Sequence, residues 1–180
     1  GITFAETFGN LGFITYCHAN ALRDLGPTMS PHNAYLTLMG METLPLRMQK
    51  HMDNAAAVAS FLSDHKKVES VSWAGLPTSP YNALAKKYFT FGSGSVFTVS
   101  IKGDYEAAQN VVHRCNMISH LANVGDTRTL IVHPASTTHR QLSEEQRQAA
   151  GVGDNLLRLS IGIENAEDII ADLDAALAGF

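Results

Sequence analysis

One arginine interrupts a strongly apolar stretch near the end of the chain, within the segment GVGDNLLRLSIGIENAEDII that begins at Gly151. Alternate positions of this stretch are apolar, so a strand would place Leu157 and Leu159 on one face and Arg158 on the other. A guanidinium is a planar, permanently charged fork that matches a carboxylate with two parallel hydrogen bonds. Arg158 is therefore a candidate for binding a small carboxylate from a rigid strand.

The same pattern also fits a structural ion pair. Glu164 and Asp168 follow Arg158 closely in the chain. A salt bridge from Arg158 to either of them, or to another acid, would require no functional role. The strand pattern alone leaves both interpretations open.

Other constellations give weaker chemical signals. Ser63 and Lys66 match the S-x-x-K pattern of acyl-enzyme chemistry, but no partner motif accompanies them. The glycine-containing stretches near Gly9 and Gly92 lack Rossmann or Walker spacing, so they indicate turns. The potential metal ligands are His113, Cys115, His120, His133 and His139. Their spacings and strand phases do not converge, and we predict no metal site.

The composition is that of an ordinary globular protein. The chain has 180 residues, a formal net charge of −4, 45% hydrophobic residues and 17% charged residues. These values exclude the basic balance of a nucleic-acid binder and the composition of a disordered chain. Cys17 and Cys115 lack the spacing of a disulfide framework or a zinc finger. No segment matches a membrane helix or a secretory signal, so we expect no nucleic-acid or membrane partner and a cytoplasmic location.

Periodicity and capping residues predict short strands that alternate with helices. Helices are predicted after the N-cap residues Ser30, Asp104, Ser143 and Asn165. A longer helix is predicted over Leu44–Asp64 from the apolar repeat of Leu44, Met48, Met52, Ala55, Ala59 and Leu62. Strands are predicted over residues 68–73, 95–102, 129–133 and 157–163. The Gly and Pro residues at 75–80 predict a loop.

Several segments carry a resemblance to a known family. They are GPTMSPHNAYLTLMGMETLPLRMQKHMDNA, GLPTSPYNALAKKYF, HLANVGDTRTLIVHPASTTHRQLSEEQ and LLRLSIGIENAEDIIADLDAAL, which together cover essentially the whole chain. In these segments the chain resembles the C-terminal part of the O-acetylhomoserine sulfhydrylases, pyridoxal-phosphate enzymes of the cysteine and methionine metabolism family. The most specific motif is NVGDTRTLIVHPASTTH, because related lyases and synthases usually have Ser-Leu-Gly where this chain has Asn-Val-Gly from Asn123.

The resemblance implies an α+β fold. It is that of the C-terminal small domain of a fold-type I pyridoxal-phosphate transferase, an antiparallel sheet covered by helices and preceded by the tail of the large α/β domain. On this map, residues 1–43 are the tail of the large cofactor-binding domain, residues 44–64 form a connecting helix, and residues 65–180 form the small domain. The resemblance also implies a homotetramer.

The resemblance further implies a reaction in methionine and cysteine biosynthesis. The acetoxy group of O-acetyl-L-homoserine is replaced by sulfide, which gives homocysteine and acetate, and methanethiol is a second acceptor that gives methionine. Pyridoxal 5'-phosphate holds the substrate amine as a Schiff base and stores the carbanion electrons. Each step requires one orientation of the Cα–H bond, which a two-point grip on the α-carboxylate provides. The resemblance assigns this grip to Arg158 and places Asn123 beside the carboxylate and the catalytic lysine.

One feature of the family is missing from the sequence. The Schiff-base lysine of the family lies in a Ser-x-Thr-Lys segment followed by glycines, and no lysine of this chain has that context. The lysines are Lys50, Lys66, Lys67, Lys86, Lys87 and Lys102. We therefore expect the catalytic lysine and the main cofactor-binding residues to lie upstream of Gly1. On this expectation the chain is an inactive fragment without catalytic, cofactor-binding or metal-binding residues of its own.

A different class of function remains open. A non-catalytic α+β module would bind a small carboxylate through Arg158 without any reaction. A purely structural oligomerisation domain is a third possibility, in which Arg158 is only an ion-pair partner.

Overall fold

The computed structural model describes residues 1 and 3–179. The chain forms two compact units, Gly1–Thr43 and Leu44–Phe180. The second unit is an α+β structure with one sheet, as the resemblance implies. The assignment of residues 1–43 to the tail of a larger cofactor-binding domain stays a prediction, as do the proposed roles of residues 44–64 and 65–180.

The first unit is helical and almost entirely exposed. Its helices are α1 (Phe4–Phe8), α2 (Gly12–Tyr16), α3 (Arg23–Leu25) and α4 (Pro31–Glu42), with a π-helical segment between α2 and α3. The sequence predicted α4, where the Ser30 side chain accepts a hydrogen bond from the backbone N–H of Asn33 at 3.1 Å. Of the residues described in this unit, Gly12 alone is buried. The unit therefore buries little apolar surface of its own.

Helix α5 spans Leu44–Asp64, as the apolar repeat predicted. The burial of that repeat differs from the prediction. Its C-terminal members Ala55, Ala59 and Leu62 are buried, whereas Leu44 is 40% exposed and the two methionines of the repeat are half-buried. The polar residues His51 and Asn54 are buried in their place, because both bond to backbone carbonyls of the segment that follows the last strand.

A five-stranded sheet forms the centre of the second unit. Its strands are β1 (Val68–Ser72), β2 (Val96–Ile101), β3 (Ser119–His120), β4 (Leu130–Val132) and β5 (Leu156–Ser160), in the order β1-β2-β5-β4-β3. All neighbours pair antiparallel except β3 and β4, which are parallel. The sheet is therefore mixed rather than purely antiparallel, because the two-residue strand β3, which the sequence analysis missed, joins its edge.

Four further helices accompany the sheet. They are α6 (Asn82–Tyr88), α7 (Tyr105–Arg114), α8 (Glu144–Ala149) and α9 (Ala166–Ala178). Helices α5, α7 and α9 contribute to the same hydrophobic core as β2 and β5. Each fully buried Leu or Ile in such a core contributes about 1.5–3 kcal/mol. This core fixes β5, the strand that carries Arg158.

The four predicted helix starts are confirmed, and three of them have the expected side-chain cap. Asp104 accepts a hydrogen bond from the backbone N–H of Ala107, and Ser143 forms the capping box with Gln146. Asn165 lies at the start of α9 but makes no capping hydrogen bond through its side chain. Helix α6 was not predicted, because the Gly and Pro residues before it indicated a loop.

Candidate functional site

Arg158 lies in the middle of β5, on the face of the sheet opposite to the core. Its neighbours across the sheet are Thr98 on β2 and Val132 on β4. The flanking residues Leu157 and Leu159 are 3% and 1% exposed and belong to the core. The alternation predicted from the sequence is thus confirmed, and the hydrocarbon core does not have to accommodate the guanidinium.

The guanidinium of Arg158 is bound by the backbone rather than by an acid. Its Nη2 donates a hydrogen bond of 3.2 Å to the main-chain carbonyl of Asn123. Its Nε is buried and has no hydrogen-bond partner within residues 1 and 3–179. Over the same residues, no Asp or Glu forms an ion pair with Arg158. A buried donor that lacks a partner is unusual in folded proteins.

The two acids that the sequence offered as ion-pair partners have other positions. Both carboxylate oxygens of Glu164 accept hydrogen bonds from Thr129, at 2.6 Å from its N–H and 2.8 Å from its hydroxyl. Asp168 is exposed in the first turn of α9. The structure therefore contains neither of the ion pairs considered for Arg158.

Asn123 lies in the irregular segment between β3 and β4 and meets Arg158 through its main chain. Its side chain closes a local turn instead. Oδ1 accepts a hydrogen bond from the N–H of Val124 at 2.8 Å, and Nδ2 donates to Oδ2 of Asp126 at 3.5 Å. The structure thus brings together the two residues predicted for substrate binding. The main-chain carbonyl of Asn123 makes the contact with Arg158, whereas the resemblance gave only the place of Asn123 in the site.

Asp126 provides a fixed negative charge in the same segment. Its carboxylate accepts a hydrogen bond of 3.0 Å from the backbone N–H of Arg128, and the Arg128 guanidinium lies 3.6 Å away. The backbone hydrogen bond and the nearby positive charge lower the pKa of Asp126. The turn that contains Asn123 therefore retains its charged hydrogen-bond acceptor near neutral pH.

Sequence reasoning missed three polar residues next to this site. Glu164 was considered only as an ion-pair partner, and Thr129 only as a strand residue. Ser160, two residues after Arg158 on the same face of β5, is 2% exposed, and its hydroxyl has no hydrogen-bond partner in the described chain. The period-two pattern places Ser160 on the same face as Arg158, but it gives Ser160 no role. The pairing of Glu164 with Thr129 had no local signal, because the two residues are 35 positions apart.

A buried hydrogen-bond network surrounds His133, which follows β4. His133 is 1% exposed; its Nε2 donates to the carbonyl of Asp154 at 2.8 Å, and its Nδ1 lies 3.0 Å from the Ser136 hydroxyl. Burial lowers the pKa of His133, an effect that Asp154 partly opposes. Within residues 1 and 3–179, no three His, Cys, Asp or Glu residues are grouped to hold a metal ion.

The two cysteines are free, and Cys115 is not poised for thiolate chemistry. Burial and the charge of Asp172 raise the pKa of Cys115 to about 12. Among the described residues, no helix combines the length and the hydropathy that a membrane span requires.

A family model described as "Cys/Met metabolism PLP-dependent enzyme" matches residues 9–178. The chain belongs to this family. An O-acetyl-L-homoserine sulfhydrylase of Thermus thermophilus is 47% identical over 99% of the chain and 42% of its own length. A homocysteine synthase of Schizosaccharomyces pombe is 45% identical over 98% of the chain and 41% of its own length.

A solved structure supports the fold assignment of this member of the Cys/Met metabolism family. It is that of a proposed O-acetylhomoserine (thiol)-lyase from Campylobacter jejuni, which carries N'-pyridoxyl-lysine-5'-monophosphate. The two structures agree with a TM-score of 0.85 and 41% sequence identity, over 96% of this chain and 41% of that one. The fold is therefore that of a fold-type I enzyme. The chain spans about two fifths of the length of the relatives described here.

In this family member, Arg158 offers a cationic group to an anionic ligand. A strand-held guanidinium that no acid neutralises is suited to a carboxylate, which it binds with two parallel hydrogen bonds. All lysines are solvent-exposed except Lys67, which is half-buried and donates to the carbonyl of Ala178 at the end of α9. We assign no residue of this chain to pyridoxal phosphate itself.

Proposed function

We propose that this chain supplies the substrate-carboxylate site of an enzyme that replaces the acetoxy group of O-acetyl-L-homoserine by sulfide. The products are homocysteine and acetate, and methanethiol in place of sulfide gives methionine. Family membership and the names of the relatives support this reaction class. The observation that carries the proposal is the unneutralised guanidinium of Arg158 on a rigid strand.

In this proposal the chain binds and orients the substrate. Arg158 holds the α-carboxylate by charge-assisted hydrogen bonds, and the carbonyl of Asn123 holds the guanidinium in turn. Fixing the carboxylate restricts rotation of the amino acid, which lowers the barrier by positioning. Pyridoxal phosphate, when bound, supplies an electron sink for the charge that develops on the substrate carbon atoms.

The rest of the enzyme belongs to the same proposal. Residues 1–43 would be the tail of its large domain, with 44–64 as the connecting helix and 65–180 as the small domain. We infer a catalytic lysine outside this chain, because none of its lysines has the Ser-x-Thr-Lys context. The homotetramer and the cytoplasmic location are further parts of the proposal, and analytical ultracentrifugation of the full-length enzyme tests the first of them.

Substitution of Arg158 in the full-length, cofactor-loaded enzyme tests this proposal. Arg158→Lys keeps the charge but cannot make two parallel hydrogen bonds. We expect kcat/KM for O-acetyl-L-homoserine to fall about 10- to 100-fold, while cofactor absorbance stays unchanged. Arg114→Lys is the matched control, because this exposed arginine lies in the last turn of α7. It should leave the kinetics unchanged.

Product analysis separates the enzyme from a carboxylate-binding module. The parent enzyme should release homocysteine from sulfide and O-acetyl-L-homoserine, and O-succinyl-L-homoserine assayed in parallel defines the acyl preference. Unaltered kinetics of Arg158→Lys would refute the role of Arg158. Ligand binding without any turnover would favour the non-catalytic module.

A further inference from the structure

The chain leaves β5 after Ser160 and bends at Ile163 and Glu164 before α9 begins. The backbone pairing of β5 with β4 ends at Ser160. Beyond it, the N–H of Gly162 donates not to a backbone carbonyl but to the hydroxyl of Thr129, at 2.9 Å. The N–H of Ile163 then donates to the carbonyl of Thr127 at 2.9 Å. A side chain therefore replaces one step of the hydrogen-bond ladder at this point.

Glu164 completes this replacement. Its two carboxylate oxygens accept from the N–H and the hydroxyl of Thr129, at 2.6 and 2.8 Å. Hydrogen bonds to an ionised carboxylate are about twice as strong as neutral ones. Thr129 is fully buried, so its N–H would otherwise lack a partner. Glu164 thus fixes Thr129 against the end of β5.

Glu164 is itself held from the opposite side. The Nδ2 of Asn54, a residue of α5 that is 1% exposed, donates to the carbonyls of Gly162 and Glu164, at 3.0 and 2.7 Å. A Cβ added to Gly162 would collide with a Glu164 carboxylate oxygen and with the Thr127 carbonyl oxygen. The backbone at Gly162 therefore leaves no space for a side chain, and the Glu164 carboxylate packs against it.

Thr129 is the last residue of the segment that carries Asn123. This segment runs between β3 and β4, over residues 121–129, and its base is closed by a 3.1 Å hydrogen bond from the N–H of Ser119 to the carbonyl of Thr129. The Asn123 carbonyl within it meets Arg158 Nη2 at 3.2 Å. Arg158 on β5 and Asn123 in the 121–129 segment are thus connected in two ways. One is this direct hydrogen bond, and the other runs through Thr129 and Glu164.

We propose that Glu164 is a positioning residue of the carboxylate site, which acts through Thr129 to hold the Asn123 carbonyl against Arg158. This inference rests on the proposed function. Glu164 does not touch the substrate. It sets the distance and the angle at which Arg158 presents its free N–H groups. Loss of the Glu164 contact would let the 121–129 segment move relative to β5 and so weaken substrate binding.

The test uses the full-length enzyme with bound cofactor and two isosteric changes. Glu164→Gln leaves the Thr129 hydroxyl facing an amide NH₂, and Thr129→Val removes that hydroxyl without changing the shape. Both variants should raise the KM for O-acetyl-L-homoserine about tenfold. They should raise the Kd of the unreactive analogue L-norvaline, which is measured from cofactor absorbance, by about the same factor. The kcat and the KM for sulfide should change less than about threefold.

Two further variants separate positioning from general stability. Thr129→Ser keeps the hydroxyl and should restore the affinity for L-norvaline to within about twofold of the parent enzyme. Asp104→Ala removes the cap of α7, away from the site, and should lower the melting temperature without any change in KM. Should Glu164→Gln fail to fold, Thr129→Val and Thr129→Ser give the same comparison.

Unchanged Kd for L-norvaline in both Glu164→Gln and Thr129→Val, with only a lower melting temperature, would overturn the inference. Arg158→Lys is measured beside them. If Arg158→Lys weakens L-norvaline while the other two do not, the positioning role is wrong and the carboxylate site stands. If Arg158→Lys has no effect either, the proposed function itself has failed.

Discussion

The main-chain carbonyl of Asn123 accepts a 3.2 Å hydrogen bond from Nη2 of Arg158. This contact depends on the course of the backbone and not on the side chain, since the Asn123 amide group bonds within its own turn. A guanidinium held by a carbonyl keeps its full positive charge, whereas one paired with an acid is neutralised. The arrangement therefore orients Arg158 and leaves it able to attract an anion.

This geometry predicts that removing the Asn123 side chain weakens substrate binding less than replacing Arg158 does. Asn123→Ala keeps the carbonyl but loses the 2.8 Å bond to the N–H of Val124. We expect the KM for O-acetyl-L-homoserine to rise about three- to tenfold, less than in Arg158→Lys. Steady-state kinetics of the full-length enzyme provides the measurement.

A matched control is Asn116→Ala, since Asn116 is exposed and its side chain reaches only a carbonyl two residues away, at 3.4 Å. The KM of this variant should not change. A loss in Asn123→Ala as large as that in Arg158→Lys would mean that the Asn123 side chain itself touches the substrate.

Two serine-to-alanine changes should affect stability in opposite directions. The Ser160 hydroxyl is buried and has no partner in the described chain, so Ser160→Ala removes an unsatisfied group and should raise the free energy of unfolding by up to about 1 kcal/mol. The Ser143 hydroxyl accepts from the N–H of Gln146, so Ser143→Ala should lower it by about 1 kcal/mol. Thermal and urea unfolding measure both. Clear destabilisation in Ser160→Ala would show that its hydroxyl has a partner in the assembled protein.

The elements that the sequence predicted are those with a local cause. The alternation in β2 and the caps at Asp104 and Ser143 each involve residues within a few positions of one another, and the structure confirms them. Strand β3 was missed because it has no such local cause. Its two residues form a strand only because β4 lies beside them. Local patterns cannot indicate an element whose stabilisation is entirely tertiary.

The site shows the same division. The position of Arg158 on the non-core face followed from strand alternation, and its proximity to Asn123 came from the resemblance. The bonds of Glu164 to Thr129 could not be predicted, because they join residues 35 positions apart and Glu164 could equally have paired with Arg158. Likewise, His51 and Asn54 lie within an apolar repeat, and their burial depends on carbonyls about 110 residues away.

The histidine network predicts a loss of stability in acid. Burial lowers the pKa of His133 in the folded protein below its ordinary value of about 6.5. The unfolded chain therefore binds the proton more readily, so this contribution is fully present above about pH 6.5 and is lost as the pH falls through the folded pKa. The charged groups that influence His133 are Asp154, Arg147 and His120. Melting temperatures between pH 8 and pH 5 should fall accordingly.

Replacement of His133 should flatten part of this pH profile. His133→Gln cannot take up a proton, so its stability should depend less on pH between 8 and 5, although it is lower at pH 8 because the bonds to Asp154 and Ser136 are perturbed. His113→Gln, at the exposed end of α7, is the control and should keep the profile of the parent protein. An identical acid profile in His133→Gln would exclude His133 as the source of the pH dependence.

The 180-residue chain by itself should associate in solution and catalyse no sulfhydrylation. In the first unit, large apolar side chains are widely exposed, among them Phe13 at 79% and Leu25 at 82%. Apolar surface of this extent is normally covered by a partner surface, so the isolated chain should form oligomers or aggregates. Light scattering after size-exclusion chromatography measures this, and homocysteine release measures the activity. A monodisperse monomer would contradict the first expectation, and turnover without an added lysine-bearing segment would contradict the second.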